Sequence, residues 1–535
     1  MTPFQEFRLW ARRAPAGERA GAGVAAALVL AVLVWVLVPA FEGTATPDAL
    51  GLSATSATGN GAAGTTTGDA PAGGDAPDGR RTGTAGSGGA VARLPGTGLT
   101  AAGARGGALL GTTSGPAGST GGAAARAASC PAGAATGLTA QRVDIAVIRV
   151  NIVGPASNTV FGGESPEQQQ TYFQATIDDV NARGGAGCRQ IVPHYFDGNP
   201  VDQSDLQQKC LEITSKPYFA VLDLGAFATH FPLVSCFARN HMPYFVAYGV
   251  PAAQVADDFP FVFGFYTLDR LVRNTVFALR DRGFFSPSHG FEKLGYIYRS
   301  CDPALISAER TWLAQVGVPA AQMITYDVGC PDAFANPSDI QQAVLKFKAA
   351  GVTNVTTASF VGDFGTFTKV AQQQKFKPAY GLPDDSLIPL TYGSASPDHD
   401  NIAGAIAITA TRAGEERTPG TRPSPGSRQC NAVLAKQHLG TVYSLTPAAG
   451  NICDLVWMFD AAMDHAPALR PQYLAAGLQA ARSIDFSYPQ GPTDFSGQGV
   501  TTGGEFWRPN QFRPGCGCWQ LLNRAFAPSF PDRLG

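Results

Sequence analysis

The chain has 535 residues, ten cysteines and a formal net charge of −2, with 44% hydrophobic and 15% charged residues. That length exceeds one small domain, and the apolar share is enough for a packed core. A near-neutral balance without a long Lys or Arg run gives no basis for nucleic-acid binding.

The first section, residues 1–21, carries Arg8, Arg12, Arg13 and Arg19 against Glu6 and Glu18 and reads as a cytoplasmic N-terminus. Residues 22–41 contain an uncharged apolar run, Val24 to Phe41, near the roughly 17–25 residues that span a bilayer. Arginines on its amino side predict that everything later lies outside the cell. The run is long for a cleaved signal, and Val38-Pro39-Ala40 and Thr44-Ala45 are poor cleavage sites. The expectation is a single-pass anchor at the cell membrane, with a secreted domain as the alternative if the segment is cleaved. The first cysteine is Cys130, so a lipid anchor beside the run is not expected. Residues 42–140 are dominated by Gly, Ala, Thr, Ser and Pro. Such a composition cannot bury enough surface to offset its ordering entropy, so it reads as a flexible linker. A coil of about 100 such residues has an r.m.s. span of roughly 50–60 Å.

Val143 to Gly198 then reads as one β-α-β unit. The apolar run VDIAVIRVNIVG leads into a loop with Gly154-Pro155 and Gly162-Gly163. Ser165 suits a helix N-cap, Pro166 the first helical position, and Gln168 completes the cap three residues on. Tyr172, Phe173, Ile177 and Val180 recur at helical spacing, and Gly184-Gly185 permits the left-handed turn that ends a helix. A second run, QIVPHYFDG, ends on Asp197 and Gly198. Short Val- and Ile-rich runs are typical of buried parallel strands, and small ligands bind at the carboxyl edge of such sheets.

The loop GPASNTVFG, the helix end DDVNARGG and the strand YFDG together resemble the opening of type I periplasmic binding proteins. These are the substrate-binding subunits of branched-chain amino-acid ABC transporters and their relatives. The resemblance runs to about residue 525. It implies an α/β fold of two Rossmann-like lobes joined by a hinge. Lobe 1 would comprise residues 141–266 and 412–484, and lobe 2 residues 267–411 and 485–535.

Alternation continues along the chain. Strands are expected at Phe219 to Leu224 and Pro243 to Tyr248, with a helix carrying Cys236 between them. The aromatic-rich Phe259 to Phe265 leads into a helix from Leu268 to Arg282, where the resemblance places the first crossing between lobes. Leu294 to Tyr298, Met323 to Val328 and Asn354 to Ser359 read as strands, with helices near 303–316 and 337–350. Val361 to Gln373 continues as a helix, AYGLPDD follows another short strand, and Ile402 to Thr411 is a further strand. The polar, Pro-rich TRAGEERTPGTRPSPGSRQ reads as an exposed loop. Helices from Cys430 to about Ile484 would return to lobe 1, and GEFWRPNQFRPGCGCWQLL would close lobe 2.

The resemblance implies a ligand between the lobes. In the loop after the first strand it points to Ser157, Asn158 and Phe161, with Phe161 where amino-acid binders hold an aromatic against the ligand. After the third strand the usual Ser or Thr is replaced by Ala226 and Phe227. After the fourth, Tyr248 and Gly249 stand where a Thr is expected. Phe360 matches an aromatic pocket position, and Asp384 falls where an acid often pairs with a ligand ammonium. Each has a plainer alternative: Phe161 and Tyr248 as packed aromatics, and Asp384 as a helix cap. The departures shift the expected ligand from a standard amino acid toward something more apolar or aromatic.

All ten cysteines lie between Cys130 and Cys518, and an even count in an exported domain suggests disulfides. Connectivity does not follow from spacing, but the implied fold offers Cys301 with Cys330, Cys210 with Cys236, Cys430 with Cys453, and Cys130 with Cys188. Cys516 and Cys518 remain. A bridge across one residue is strained, so a buried thiol, a different pairing, or a metal or redox site stay open.

None of the seven histidines forms HExxH, and neither GxSxG nor GxxxxGK is present. No catalytic residue, metal or cofactor is expected. The functional expectation is an extracytoplasmic solute-binding protein whose partners are a small-molecule ligand, ABC permease subunits and the membrane. A sensory or interaction domain of the same fold is the alternative. The Ala-, Gly- and Arg-rich usage resembles that of high-GC actinobacteria.

Overall fold

The computed structural model describes residues 130–151, 164–200, 202–225, 232–247, 249–330, 335–357, 361–383, 398–442, 448–489, 491–497 and 499–531. The anchor and most of the linker lie outside these residues. Among the described residues, no helix is long and apolar enough to cross a membrane.

The opening unit is built by the local signals its residues carry. β1 (Arg142–Val150) pairs in parallel with β2 (Gln190–Gly198) across α1 (Pro166–Ala182). Ser165 and Gln168 form a reciprocal capping box at the helix start, which satisfies two of its orphan amides. Gly184 and Gly185 take φ of 115° and 77° just past its end. At Gly185 an added Cβ would sit 2.0 Å from the Arg189 carbonyl oxygen, so the turn has no room for a side chain. Pro193 is tolerated within β2 because that strand is the sheet's edge.

Four more elements extend this lobe. They are α2 (Gln203–Thr214), β3 (Ala220–Asp223), α3 (Pro232–Arg239) and β4 (Tyr244–Val246). A short α4 (Ala252–Asp257), absent from the sequence expectation, precedes β5 (Val262–Gly264). The result is a five-stranded sheet ordered β2-β1-β3-β4-β5, with every pairing parallel.

The second sheet begins after α5 (Leu268–Asp281). Its parallel part is β6 (Leu294–Tyr298), β7 (Met323–Asp327), β8 (Asn354–Thr357), β9 (Ala379–Pro383) and β10 (Ile406–Thr409). Between these strands run α6 (Pro303–Gln315), α7 (Pro337–Ala349) and α8 (Val361–Gln373). The strand order is β7-β6-β8-β9-β10. The C-terminal β11 (Phe506–Arg513) and β12 (Cys518–Leu521) add on antiparallel beyond β10, and β13 (Ala527–Pro528) pairs with β11.

Three helices between β10 and β11 return to the first lobe. α10 (Ala448–His465) packs on α1, β3 and β4, α9 (Pro425–Lys436) packs on α1, and α11 (Leu474–Ala481) packs on α10. Of the buried clusters, one holds the α2–α3 face of the first sheet and another the α7–α8 face of the second. The largest runs through both lobes without interruption, from β1 and α10 through Phe265 and α5 to Ile408 and Trp507.

Two expectations need correction. The strand expected from Ile402 to Thr411 is confined to Ile406–Thr409, because Asp398, Ile402 and Ala405 close turns ahead of it. The segment expected as an exposed loop is partly interior: Arg412 and Glu415 are buried, and Ser424 caps α9 five residues or more before the expected start. Its polar composition is real, but Arg412 and Glu415 pair inside the fold while Arg417, Arg422 and Arg428 stay exposed.

All ten cysteines are bridged: Cys130–Cys188, Cys210–Cys236, Cys301–Cys330, Cys430–Cys453 and Cys516–Cys518. The last pair sits at the β11–β12 turn, where the hairpin brings the two Cα atoms to 5.2 Å. The thiol and metal alternatives for Cys516 and Cys518 are therefore set aside. Among the described residues no group of three or more His, Cys, Asp or Glu is placed to hold a metal ion.

Candidate ligand-binding cleft

In an open parallel sheet a ligand belongs at the strands' carboxyl ends. On the first lobe those ends are Val150, Asp223 and Val246; on the second they are Tyr298, Thr357 and Pro383. Ser157, Asn158, Phe161, Ala226, Phe227, Tyr248, Phe360 and Asp384 all follow these ends in sequence, and all lie outside the described residues. Gly249 is described. An added Cβ there would lie 2.5 Å from Cε2 of Tyr266 and 2.8 Å from Leu268, so close packing accounts for the glycine.

Several roots of these segments are described and held by buried polar side chains. Gln169 on α1 receives the Val150 amide at 2.8 Å and donates to the carbonyls of Val150 and Glu164 at 2.9 and 3.0 Å. One buried amide thus fastens both ends of the segment between β1 and α1. Asp223 ends β3 and is 1% exposed. Its carboxylate accepts from the Tyr244 hydroxyl at 2.5 Å and from the Gly225 amide at 2.7 Å. Burial pushes its pKa up to about 6, against the opposing pull of those two hydrogen bonds.

The second lobe uses a charge pair at the same place. Arg299 follows β6 and Asp363 lies in the first turn of α8. Nη2 and Nε of Arg299 stand 2.7 and 2.8 Å from one Asp363 oxygen, and the Ala335 amide donates to the other at 2.7 Å. Both side chains are almost fully buried. Cys301–Cys330 ties the residues that follow β6 to those that follow β7, and the Ser300 amide donates to the Gly329 carbonyl at 3.0 Å. Beyond β9, Thr368 accepts from the Asp398 amide at 3.0 Å and Asp398 from the Asn401 amide at 2.9 Å.

Three passages connect the lobes. The first leaves β5 for α5, the second leaves β10 for α9, and the third returns from α11 to β11. They are bonded to one another. The Gly264 amide donates to the Thr501 carbonyl at 3.1 Å and the Gly504 amide to that of Phe265 at 2.7 Å. The Arg412 amide donates to the Tyr488 carbonyl at 2.8 Å. Asp454 on α10 accepts the Ser487 and Tyr488 amides at 2.7 and 2.8 Å, which clamps the third passage to the first lobe. Burial pushes the Asp454 pKa up to about 7, while these amides and the Arg412 charge pull it down.

Two sheets of this order, linked by three paired passages, can be compared with known proteins. A solute-binding protein of an R. palustris ABC transporter, solved with 4-hydroxybenzoate, superposes with TM-score 0.54 at 12% identity, covering 73% of this chain and 98% of the other. A branched-chain amino-acid ABC transporter protein from Thermus thermophilus with bound valine gives 0.52 at 13% identity, over 73% and 97%. A fatty-acid ABC transporter substrate-binding protein from Thermomonospora curvata gives 0.52 at 14% identity, over 73% and 94%. The chain has the type I periplasmic-binding-protein fold. No family model and no curated protein sequence matches it. At such identities the likeness shows the fold and leaves the ligand open.

The buried clamps Gln169, Asp223, Arg299, Asp363 and Asp454 were not singled out from sequence. Asp223 and Asp363 each stand within a few residues of an expected cleft position, so an acid beside a strand end was a usable signal. Arg299 and Asp454 have partners far along the chain and carried none.

Proposed function

We propose that this chain is an extracytoplasmic solute-binding protein that captures a small molecule between its two lobes for an ABC importer. The observation that carries this reading is the pair of parallel-sheet lobes joined by three mutually bonded passages. Such a hinge suits closure around a ligand. Two of these structural neighbours are named as binding proteins and a third was solved with bound valine, which favours capture over catalysis. Ser157, Asn158, Phe161, Ala226, Phe227, Tyr248, Gly249, Phe360 and Asp384 are the positions assigned to the ligand. Their apolar and aromatic bias favours an apolar or aromatic acid over a standard amino acid.

The same reading places the domain outside the cell, held by residues 22–41 and a reach of linker. Five disulfides support an oxidising compartment. A tether raises the local concentration of receptor around its permease. Externally added protease should release the domain from intact cells; protection of the domain would overturn this placement.

Thermal melting of the full chain with valine, 4-hydroxybenzoate and a medium-chain fatty acid tests capture. A ligand at about 100 times its Kd stabilises the folded state by about 2.7 kcal/mol. If an aromatic acid shifts melting and valine does not, the apolar reading stands; no shift across a wide metabolite panel would remove the capture role. Asp384→Ala should weaken a cationic ligand specifically.

A further inference from the structure

Residues 412–425 build something their composition did not announce. Arg412 from the second passage and Arg508 from β11 both pair with Glu415, Arg412 through Nη1 at 3.3 Å. All three side chains are at least nine-tenths buried. Two guanidiniums share one carboxylate, so this triad carries a net positive charge away from water, an arrangement that costs free energy unless an anion offsets it. Asp454 on α10 acts on Arg412 and supplies part of that offset; burial pushes its pKa up to about 7, so it is only partly ionised at neutral pH.

A cavity of about 380 Å³ opens on the triad. Arg422, Arg524 and Asp485 also line it, so four arginines and two acids surround the cavity. The Phe526 ring covers the triad, with its centroid 4.5 Å from Cζ of Arg508 and 5.7 Å from Cζ of Arg412. That ring is 37% exposed although large and apolar. Arg524 is itself positioned by donating to the Pro419 carbonyl. Planar guanidinium forks clustered around a cavity match oxyanions that present two or more oxygens.

We infer that this cavity is a binding site for a small multivalent oxyanion, a phosphate or a dicarboxylate. The site joins the second passage (Arg412), the third (Asp485, Gly491) and the second-lobe sheet (Arg508). An anion there binds all three together and so biases the hinge. It shares no residue with the strand-end segments, so it stands or falls independently of solute capture.

The test is calorimetric titration of the purified full chain with sodium phosphate, succinate and acetate, each at constant ionic strength set with sodium chloride. Saturable binding of phosphate or succinate, at least tenfold tighter than acetate, supports the site, and the preferred probe identifies the oxyanion class. Absence of saturable binding by both, or acetate binding equally well, overturns it. Arg422→Ala/Arg524→Ala should weaken the favoured anion at least tenfold. Arg422→Glu, at an exposed position, gives the same readout if the double variant fails to melt cooperatively in phosphate-free buffer. A folded variant that binds as tightly as the unaltered chain overturns the assignment.

Discussion

The two lobes fasten their strand ends with different chemistry. In the first, Asp223 is buried against a tyrosine hydroxyl and a backbone amide. In the second, Asp363 is buried against the guanidinium of Arg299. Both place a buried carboxylate at the carboxyl end of a strand or in the first turn of the helix after it. They differ in what balances its charge. Asp223 has only neutral donors, so burial lifts its pKa to about 6 and the root can take up a proton near neutrality. The second root is a fixed ion pair. Equivalent topology therefore does not imply equivalent electrostatics, and the first lobe should be the more sensitive to pH.

Breaking the charged root should have the largest effect. Arg299→Ala leaves Asp363 buried without its cation, which costs about 3–5 kcal/mol in comparable cases. Denaturant unfolding should show it directly. A loss under about 1 kcal/mol would mean that the pair is less buried in solution and the contrast between lobes is weaker.

The next effect sharpens the pH contrast. A carboxyl whose folded pKa is raised stabilises the fold below its unfolded pKa, near 4, and loses that contribution as pH rises through its folded value. For Asp223 the window runs from about 4 to about 6, and for Asp454 to about 7. A shift of about two units corresponds to roughly 3 kcal/mol for Asp223. Unfolding midpoints should fall between pH 4 and 8. Asp223→Asn should remove the earlier part of that fall and leave the part belonging to Asp454. If the slope is unchanged, Asp223 does not titrate in this window.

A third variant tests the loop root without charge. Gln169→Leu removes three buried hydrogen bonds, from the Val150 amide and to the Val150 and Glu164 carbonyls, at about 1–3 kcal/mol. Binding of the cleft ligand should weaken with it, because both ends of the segment carrying Ser157, Asn158 and Phe161 depend on that one side chain.

What the sequence made legible follows the range of the interactions involved. The capping box of Ser165 and Gln168, the Gly184-Gly185 stop and the short apolar strands act within a few residues, so periodicity finds them. The four longer-range disulfide pairings needed the order of strands and helices, which the resemblance supplied. Arg299 with Asp363 and Asp454 with Ser487 join residues tens of positions apart, and no local pattern marks them. Arg412 and Glu415 misled the reading for a related reason. Composition registers that charges are present, whereas burial depends on Arg508, which arrives from the far end of the chain.

The smallest effect is the most discriminating. The Tyr244 hydroxyl donates to Asp223, and this bond favours the charged carboxylate and pulls its pKa down against burial. Tyr244→Phe keeps the ring and its stacking on Phe237. It should cost about 1 kcal/mol in stability. It should also move the Asp223 midpoint above 6, because only the Gly225 amide then supports the charge. The expected signature is a pH midpoint displaced upward with the second lobe's response unchanged. A midpoint that moves down would mean that the hydroxyl serves the protonated acid, and that the first lobe's root is neutral across the physiological range.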